Sequence, residues 1–262
     1  MPAHTPRRRF GQHFLTDAEI IARLVAAIGP ASGDCMVEIG PGLGALTRPL
    51  LQTLKRLHAV ELDRDIVARL GREFPAERLV VHAADALTFD FSRIGARFRV
   101  VGNLPYNIST PLLFHLARFA DAIIDIHVML QKEVVDRMAA DPGTSDYGRL
   151  SVMLQYRFSI EKLFDVPPEA FRPPPKVDSA VVRLTPFARP PYPAKDERLF
   201  ATLVAAAFSQ RRKTLRNTLK GYLGPEDLTR LGIDPQLRAE NLSVEAFVRA
   251  TNHLSAHAAP TR

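Results

Sequence analysis

Apolar residues along this chain first recur at helical spacing and then gather into short runs. The periodic segment predicts a helix over 18–28, with Thr16 or Asp17 as its N-cap. Beyond it, strand-like runs alternate with helical segments as far as Gln131, which predicts a mainly parallel sheet. We predict strands at 57–60, 79–82, 99–102, 123–130 and 179–184, and helices at 46–54, 110–117 and 132–140.

A cluster of prolines then separates the sheet-forming part from a helical remainder. Pro186, Pro190, Pro191 and Pro193 mark a linker, after which residues 200–208 form the most apolar stretch of a helical pattern. We therefore predict an α/β fold class, with a Rossmann-like domain over 1–186 and a small all-helical domain over 187–262.

The segment Asn103-Leu104-Pro105-Tyr106 carries the most specific chemistry. It follows the strand at 99–102, so it should lie at the carboxyl edge of the sheet, where open α/β folds bind ligands. The Asn103 side-chain oxygen and the Leu104 carbonyl would accept the two N–H bonds of an aromatic amine, and Tyr106 would stack on its ring. The alternative is a plain strand-ending turn, since Asn and Pro are common turn formers.

Three further strand ends offer groups that suit a nucleoside. Residues 37–44 read V-E-I-G-P-G-L-G, with Gly40 opening a turn from strand to helix, and Glu61 and Asp85 follow the next two strands. A carboxylate at the place of Glu61 typically binds ribose hydroxyls. A dinucleotide dehydrogenase would show G-x-G-x-x-G, whereas Glu38 beside the glycines suits a cationic ligand. The spacing favours S-adenosylmethionine over a nicotinamide.

Charge points to a polyanionic partner. The chain has a formal net charge of +7 and a pI near 9.8, and residues 186–262 hold 12 Lys and Arg against 7 Asp and Glu. We predict a phosphate-contacting helical face, with a solvated face as the alternative, from Arg211, Arg212, Lys213 and Arg216. A basic arm over 1–15 is predicted to meet RNA through Arg7, Arg8 and Arg9.

Phe171 is a further candidate for contact with the target base. Phe171 precedes a stiff R-P-P-P-K loop and is read either as a second wall for the target base, opposite Tyr106, or as a core phenylalanine.

A single cysteine, Cys35, excludes an internal disulfide framework, and the histidines lack metal-ligand spacing, so no metal site is predicted. With no long apolar run, we expect a cytoplasmic protein without a membrane span and, by default, a monomer.

These motifs together resemble a known family. The chain is similar to the bacterial small-subunit ribosomal RNA adenine dimethyltransferases, from Arg8 to about Asn252, in the strings R-R-R-F-G-Q-H-F-L, E-I-G-P-G-L-G, E-L-D, N-L-P-Y-N-I-S-T-P, L-Q-K-E-V, Y-G-R-L-S-V, F-R-P-P-P-K-V-D-S-A-V and Q-R-R-K-T-L-R-N. One departure is His13, because the common family motif reads Q-N-F-L there.

The resemblance implies transfer of two methyl groups from S-adenosylmethionine to N6 of each of two adjacent adenosines near the 3′ end of 16S rRNA, within an immature 30S subunit. It implies in-line transfer without a covalent intermediate. The implied cofactor contacts are His13, Leu15, Gly40, Glu61, Asp85 and Asn103. The implied catalytic residues are Asn103, Leu104, Tyr106 and Phe171.

Two alternatives share most of these features. A ribosome-assembly factor that acts mainly by binding the 30S subunit would carry the same motifs, with methylation as a checkpoint. A large-subunit methyltransferase of the macrolide-resistance type would share the chemistry but not the substrate. The intact N-L-P-Y motif argues that catalysis is retained.

Overall fold

The computed structural model describes residues 13–257. Its first helix, α1 (Ala18–Ile28), has the predicted bounds, because the Asp17 carboxylate accepts two backbone N–H bonds of the first turn and Gly29 ends the helix in a left-handed conformation. Local capping chemistry therefore sets this helix. The other helices are α2 (Thr47–Thr53), α3 (Arg64–Glu73), α4 (Ser109–Ala117), α5 (Lys132–Ala139), α6 (Arg149–Gln155), α7 (Glu197–Ala207), α8 (Leu215–Thr218), α9 (Pro225–Arg230) and α10 (Val244–His257).

The strands confirm a mainly parallel sheet. They are β1 (Phe14–Leu15), β2 (Met36–Ile39), β3 (Leu57–Glu61), β4 (Leu79–Ala83), β5 (Phe98–Asn103), β6 (Ile123–Gln131), β7 (Phe158–Val166), β8 (Phe171–Arg172) and β9 (Ser179–Pro186). The main sheet has the order β4-β3-β2-β5-β6-β9-β7, and β1 pairs with β8 in a separate antiparallel sheet. The strands from β4 to β6 are parallel, and β9 runs antiparallel to β6.

Strand order reverses between β2 and β5, because β3 and β4 lie to one side of β2 while β5 and β6 lie to the other. Such a switch point opens a crevice at the carboxyl ends of the strands, and open α/β folds bind ligands there. The glycine turn follows β2 and the N-L-P-Y turn follows β5, so the two motifs end adjacent strands. The predicted Rossmann-like fold is confirmed.

The described chain forms two compact units. The first contains 13–135 and Ser159–Pro186, and the second contains Asp136–Phe158 and residues from Phe187 onward. The boundary at 186 is thus one of the junctions between the two units. Residues 136–158, which the sequence pattern assigns to the first domain, belong instead to the second unit. The physical reason is packing within the second unit, where apolar side chains of that segment join the helical core formed by α7 and α10, namely Tyr147, Val152, Tyr156, Phe200, Leu203 and Phe247.

One part of the core of the first unit lies where the sheet meets α1, α2 and α3. Leu24, Leu50 and Leu70 are fully buried there, together with sheet residues such as Val101 and Met129. In the part of the chain that the structure describes, no helix is long and apolar enough to cross a membrane.

One glycine controls how closely β2 and β5 approach. A Cβ added at Gly102 would lie 2.4 Å from the Ile39 carbonyl oxygen, a backbone atom that cannot move without shifting the strand. Gly71, in α3, has no heavy atom within 4 Å of the same added carbon.

We predict that Gly102→Ala lowers the free energy of unfolding by about 1–3 kcal/mol, because overpacking forces the two strands apart. Gly71→Ala should instead raise it by about 0.5–1 kcal/mol, since alanine is the better helix former. Urea denaturation of both full-length variants measures the two changes. An unchanged free energy of unfolding in Gly102→Ala would show that the two strands separate without cost.

Candidate active site at the carboxyl edge of the sheet

A cavity of about 530 Å³ opens at the switch point. This volume falls in the range of small-molecule sites. The cavity collects nearly all the site residues that the sequence predicts in the first unit. Its lining includes His13, Leu15, Glu38, Gly40, Glu61, Asp85, Asn103, Leu104 and Tyr106. Residues that belong to four separate strand ends in the sequence thus share one cavity.

The glycine turn after β2 depends on backbone conformations that favour glycine. Gly40 and Gly42 have φ of +67° and +54°, which place both in the left-handed region. A Cβ at Gly42 would also lie 3.1 Å from the Phe14 ring. The turn therefore favours glycine at both positions, and both glycines line the cavity.

Glu38 places a carboxyl group inside the protein beside this turn. It is 1% exposed, and its Oε2 accepts a hydrogen bond of 2.6 Å from the Thr47 hydroxyl. Burial raises its pKa from 4.5 to about 7, with a smaller contribution from the nearby Glu61 carboxylate. A cation in the cavity would favour the ionised form of Glu38, so the site is suited to a positively charged ligand.

Two more carboxylates face the cavity from the ends of β3 and β4. Burial raises the pKa of Glu61, although backbone N–H bonds, among them one of 2.8 Å from Asp63, act in the opposite direction. Asp85 accepts a bond of 2.9 Å from the Leu87 amide through Oδ1. Each carboxylate is therefore oriented by the backbone that follows its strand.

The N-L-P-Y turn is held from three directions. The Asn103 side-chain NH₂ group donates to the His13 carbonyl at 3.0 Å. Its Oδ1 therefore points away from that carbonyl and is left as a hydrogen-bond acceptor. The Leu104 amide donates to the Met129 carbonyl at 3.1 Å. The Tyr106 hydroxyl lies 2.5 Å from Ser179 Oγ, and burial raises its pKa. This arrangement presents acceptors next to an aromatic ring.

The structure does not support Phe171 as a wall for a base. Phe171 is fully buried in the core of the first unit, where it pairs with Leu15 across β8 and β1. It is not among the residues that line the cavity. The core interpretation therefore replaces the wall interpretation. The aromatic side chain that faces Tyr106 is His13, whose ring centroid lies 5.6 Å away.

The basic cluster lies in a turn, which corrects the predicted helical face. Helix α7 ends at Ala207 and α8 begins at Leu215, so three of the four basic residues lie between the two helices. Leu215 and Leu219, which follow them, are buried in the core of the second unit. The predicted residues are all exposed, namely Arg211, Arg212, Lys213 and Arg216. The predicted arm residues lie outside the described range, namely Arg7, Arg8 and Arg9.

Sequence reasoning missed several members of the site. Thr47 is the first residue of the helix after the glycine turn, a position from which a hydroxyl reaches back to Glu38. The position of Thr47, nine residues after Glu38 at the start of the next helix, is the sequence signal that could have identified it. Ser179, the partner of Tyr106, lies far along the chain and gave no local signal. Among residues 13–257, no group of three or more His, Cys, Asp or Glu is placed to hold a metal ion.

We predict that Glu38 makes folding stability depend on pH. Its raised pKa means that the folded protein keeps a proton that the unfolded chain loses above about 4.5, so stability should fall between pH 4.5 and about 7. The limit for one group is about 1.4 kcal/mol per pH unit. Glu38→Gln keeps an acceptor for Thr47 and should remove this decline.

Chemical denaturation at pH 5.0 and 7.5 measures the effect as the difference between wild type and Glu38→Gln. Glu77→Gln, at an exposed glutamate between α3 and β4, is the matched control and should follow the wild type. The same pH slope in Glu38→Gln and wild type would assign the dependence to other groups.

Known proteins share the sequence that builds this site. A family model described as ribosomal RNA adenine dimethylase matches residues 3–256. The ribosomal RNA small subunit methyltransferase A of Nitrosospira multiformis is 65% identical over 252 residues, covering 96% of this chain and 97% of that protein. The protein of the same name from Laribacter hongkongensis is 63% identical over 254 residues, covering 96% and 97%.

Solved structures agree over nearly the whole chain. A dimethyladenosine transferase from Plasmodium falciparum superposes with a TM-score of 0.80 at 26% identity, covering 93% of this chain and 98% of that one. The 23S rRNA methyltransferase ErmE gives 0.72 at 25% identity, covering 92% and 99%. From the match of fold, motifs and sequence along its length, this chain belongs to the ribosomal RNA adenine dimethylase family.

Proposed function

We propose that this protein transfers methyl groups from S-adenosylmethionine to N6 of two adjacent adenosines in the 3′-terminal hairpin loop of 16S rRNA, giving N6,N6-dimethyladenosine. The observation that carries the proposal is the N-L-P-Y turn, whose acceptors and aromatic ring share one cavity with a buried acid and a glycine turn. The curated relatives, named as small-subunit methyltransferases, support the 16S substrate.

The residues of the first unit fit the cofactor. S-adenosylmethionine would supply a methyl group already activated by its sulfonium charge. Glu38 offers a buried carboxylate to a cationic ligand, and Gly40 opens a backbone cradle. Glu61 would accept the ribose hydroxyls and Asp85 the adenine amine, while Leu15 supplies apolar lining. No metal takes part in this proposal.

The amine grip is the catalytic element. The lone pair of an adenine amine is delocalised into the ring, so it is a poor nucleophile. Asn103 Oδ1 and the Leu104 carbonyl would accept its two N–H bonds and stabilise the positive charge that develops on nitrogen during attack. Tyr106 would hold the ring by stacking. The adenosine must leave its own stack first, at a cost of a few kcal/mol that is smallest for an unpaired loop base.

The proposal extends to partners and place. The exposed basic turn of the second unit would contact RNA phosphates, and the substrate would be 16S rRNA within an immature 30S subunit. We propose that the protein acts as a monomer in the cytoplasm. Binding of the immature subunit as an assembly step is compatible with this activity, because the same contacts would serve both.

One experiment tests the proposal directly. Purified protein is incubated with labelled S-adenosylmethionine and 30S subunits that lack the modification, followed by nuclease digestion and mass spectrometry. N6,N6-dimethyladenosine at the two adjacent positions is the expected result. Label in 23S rRNA alone would transfer the protein to the large-subunit class, and tight 30S binding without label would leave only the assembly role.

We predict that Asn103→Ala lowers the methylation rate by about 10²–10³-fold, the usual effect of removing one group that stabilises transition-state charge. Cofactor affinity should weaken but remain measurable by calorimetry. Asn241→Ala, at an exposed asparagine of the second unit, is the control and should keep the wild-type rate. Equal turnover in Asn103→Ala and wild type would refute the amine grip.

We also predict that replacing Arg211, Arg212 and Lys213 together with Ala weakens RNA binding and flattens its salt dependence. The slope of log K against log[salt] should fall by about 0.7 for each phosphate of a single strand that the variant no longer neutralises. The measurement is a salt titration with a radiolabelled 16S hairpin or 30S subunit.

The control removes three charges at the amino ends of strands in the first unit. Lys55, Arg56 and Arg72 are exposed and lie near the amino ends of β3 and β4. Their triple replacement by Ala should leave the salt slope unchanged. If both triple variants reduce the slope equally, the basic turn is only part of a general positive surface.

A further inference from the structure

The helix after the glycine turn begins in an unusual way for its sequence. In the part of the chain that the structure describes, Leu46 occupies the cap position of α2 and makes no side-chain bond to the helix backbone. Threonine is a good N-cap residue, yet Thr47 lies one position later and its hydroxyl donates to Glu38 Oε2 instead. Departures of this kind from local rules are expected at functional positions.

The neighbours of Glu38 in the sheet cannot satisfy its carboxyl group. Glu38 pairs with Ala59 of β3 and with Val101 of β5, whose side chains are apolar. Thr47 is fully buried beside it, with 2.6 Å between Oγ1 and Oε2. This hydrogen bond favours the ionised form of the carboxyl group, whereas burial disfavours it.

Nearby charges also act on the ionisation of Glu38. Glu61 at the end of β3 raises the pKa of Glu38, and Arg48 in α2 lowers it. Arg48 itself forms an ion pair of 2.6 Å with Glu73. Among the groups that favour the ionised form, Thr47 has the largest effect. Other titratable side chains line the same cavity, namely His13, Arg69 and Asp85.

We propose that Thr47 is a positioning residue for the cofactor, because its hydroxyl holds Glu38 Oε2 and so presents an ionised carboxylate, through Oε1, to the positive charge of the ligand. This inference rests on the proposed function, since it needs a cationic ligand in the cavity. Glu38 lines the cavity and Thr47 is not among the lining residues. Thr47 therefore acts through the acid and not by contact with the ligand.

Thr47→Val tests the proposal because valine keeps the shape of the side chain and removes the donor. A hydrogen bond to a charged group is worth about one to two pKa units, so Glu38 should ionise at a correspondingly higher pH in the variant. Calorimetry should show weaker binding of S-adenosylmethionine. The loss of affinity should be about five- to tenfold larger at pH 5.5 than at pH 8.0, where the wild-type carboxyl group is ionised and that of the variant begins to be.

Three controls separate positioning from a general loss of structure. Thr47→Ser keeps the hydroxyl and should restore the wild-type pH profile of affinity. Thr53→Val, at the exposed last residue of the same helix, should match the wild type at both pH values. In the Glu38→Gln background, Thr47→Val should change affinity by the same factor at both pH values, because the group that titrates is gone.

Chemical denaturation without ligand gives an independent readout. The folded wild type keeps a proton on Glu38 that the unfolded chain has lost, so its stability declines as pH rises to about 7. In Thr47→Val this decline should continue above that pH, because the folded protein holds the proton longer. The free energy of unfolding of Thr47→Val should therefore fall relative to that of Thr53→Val between pH 7.5 and pH 8.5.

The outcomes separate the inference from the function. A loss of affinity in Thr47→Val that is equal at pH 5.5 and pH 8.0 would show that Thr47 acts only in packing, and would overturn the inference. A Thr47→Ser variant that keeps the loss would also overturn it. Wild-type protein that binds no S-adenosylmethionine at either pH would instead refute the proposed function, and the inference would fall with it.

Discussion

The close approach of β2 and β5 is the constraint on which the site depends. Gly102 has no side chain where the Ile39 carbonyl oxygen passes, and a Cβ there would lie 2.4 Å from that oxygen. The two strand ends can therefore lie side by side, and a Cβ on Gly40 would lie only 3.7 Å from the Asn103 carbonyl oxygen. The glycine turn and the N-L-P-Y turn therefore lie next to each other. Methyl transfer from the cofactor to an amine would require this closeness, because the reacting atoms must be held in near contact.

Electrostatics adds a second constraint at the same place. A buried carboxylate without a partner is costly, and Glu38 responds with a pKa raised to about 7 and a hydrogen bond from Thr47. Below about pH 7 the folded protein therefore favours the neutral form of Glu38, and a cationic ligand beside it would favour the ionised form. Stability and ligand charge are linked through one residue, so binding of a cation should stabilise the fold by mass action.

Sequence reasoning succeeded where the determinants are local. The bounds of α1 follow from Asp17 and Gly29, and the carboxyl end of β3 is Glu61, as expected. It left positions open or placed them wrongly where partners distant in sequence decide. Phe171, read either as a wall or as a core residue, is buried and pairs with Leu15. Three of the four basic residues lie in a turn, because the Leu215 amide bonds to the Leu237 carbonyl and a new helix starts there. The strand β7 and the packing of 136–158 with the helical core likewise depend on tertiary contacts.

The hydrogen bonds around the N-L-P-Y turn would favour an amine as the ligand of the proposed site. The donor half of the Asn103 side chain is already used by the His13 carbonyl, and Oδ1 has no hydrogen-bond partner among residues 13–257. What the turn offers to an incoming base is therefore acceptors. The O6 edge of guanine or the O4 edge of uracil would bring acceptor against acceptor and leave buried groups unpaired, at about 1–3 kcal/mol each. Discrimination for an exocyclic amine, such as that of adenine or cytosine, would thus follow from the orientation of one amide, which a backbone carbonyl outside the motif determines.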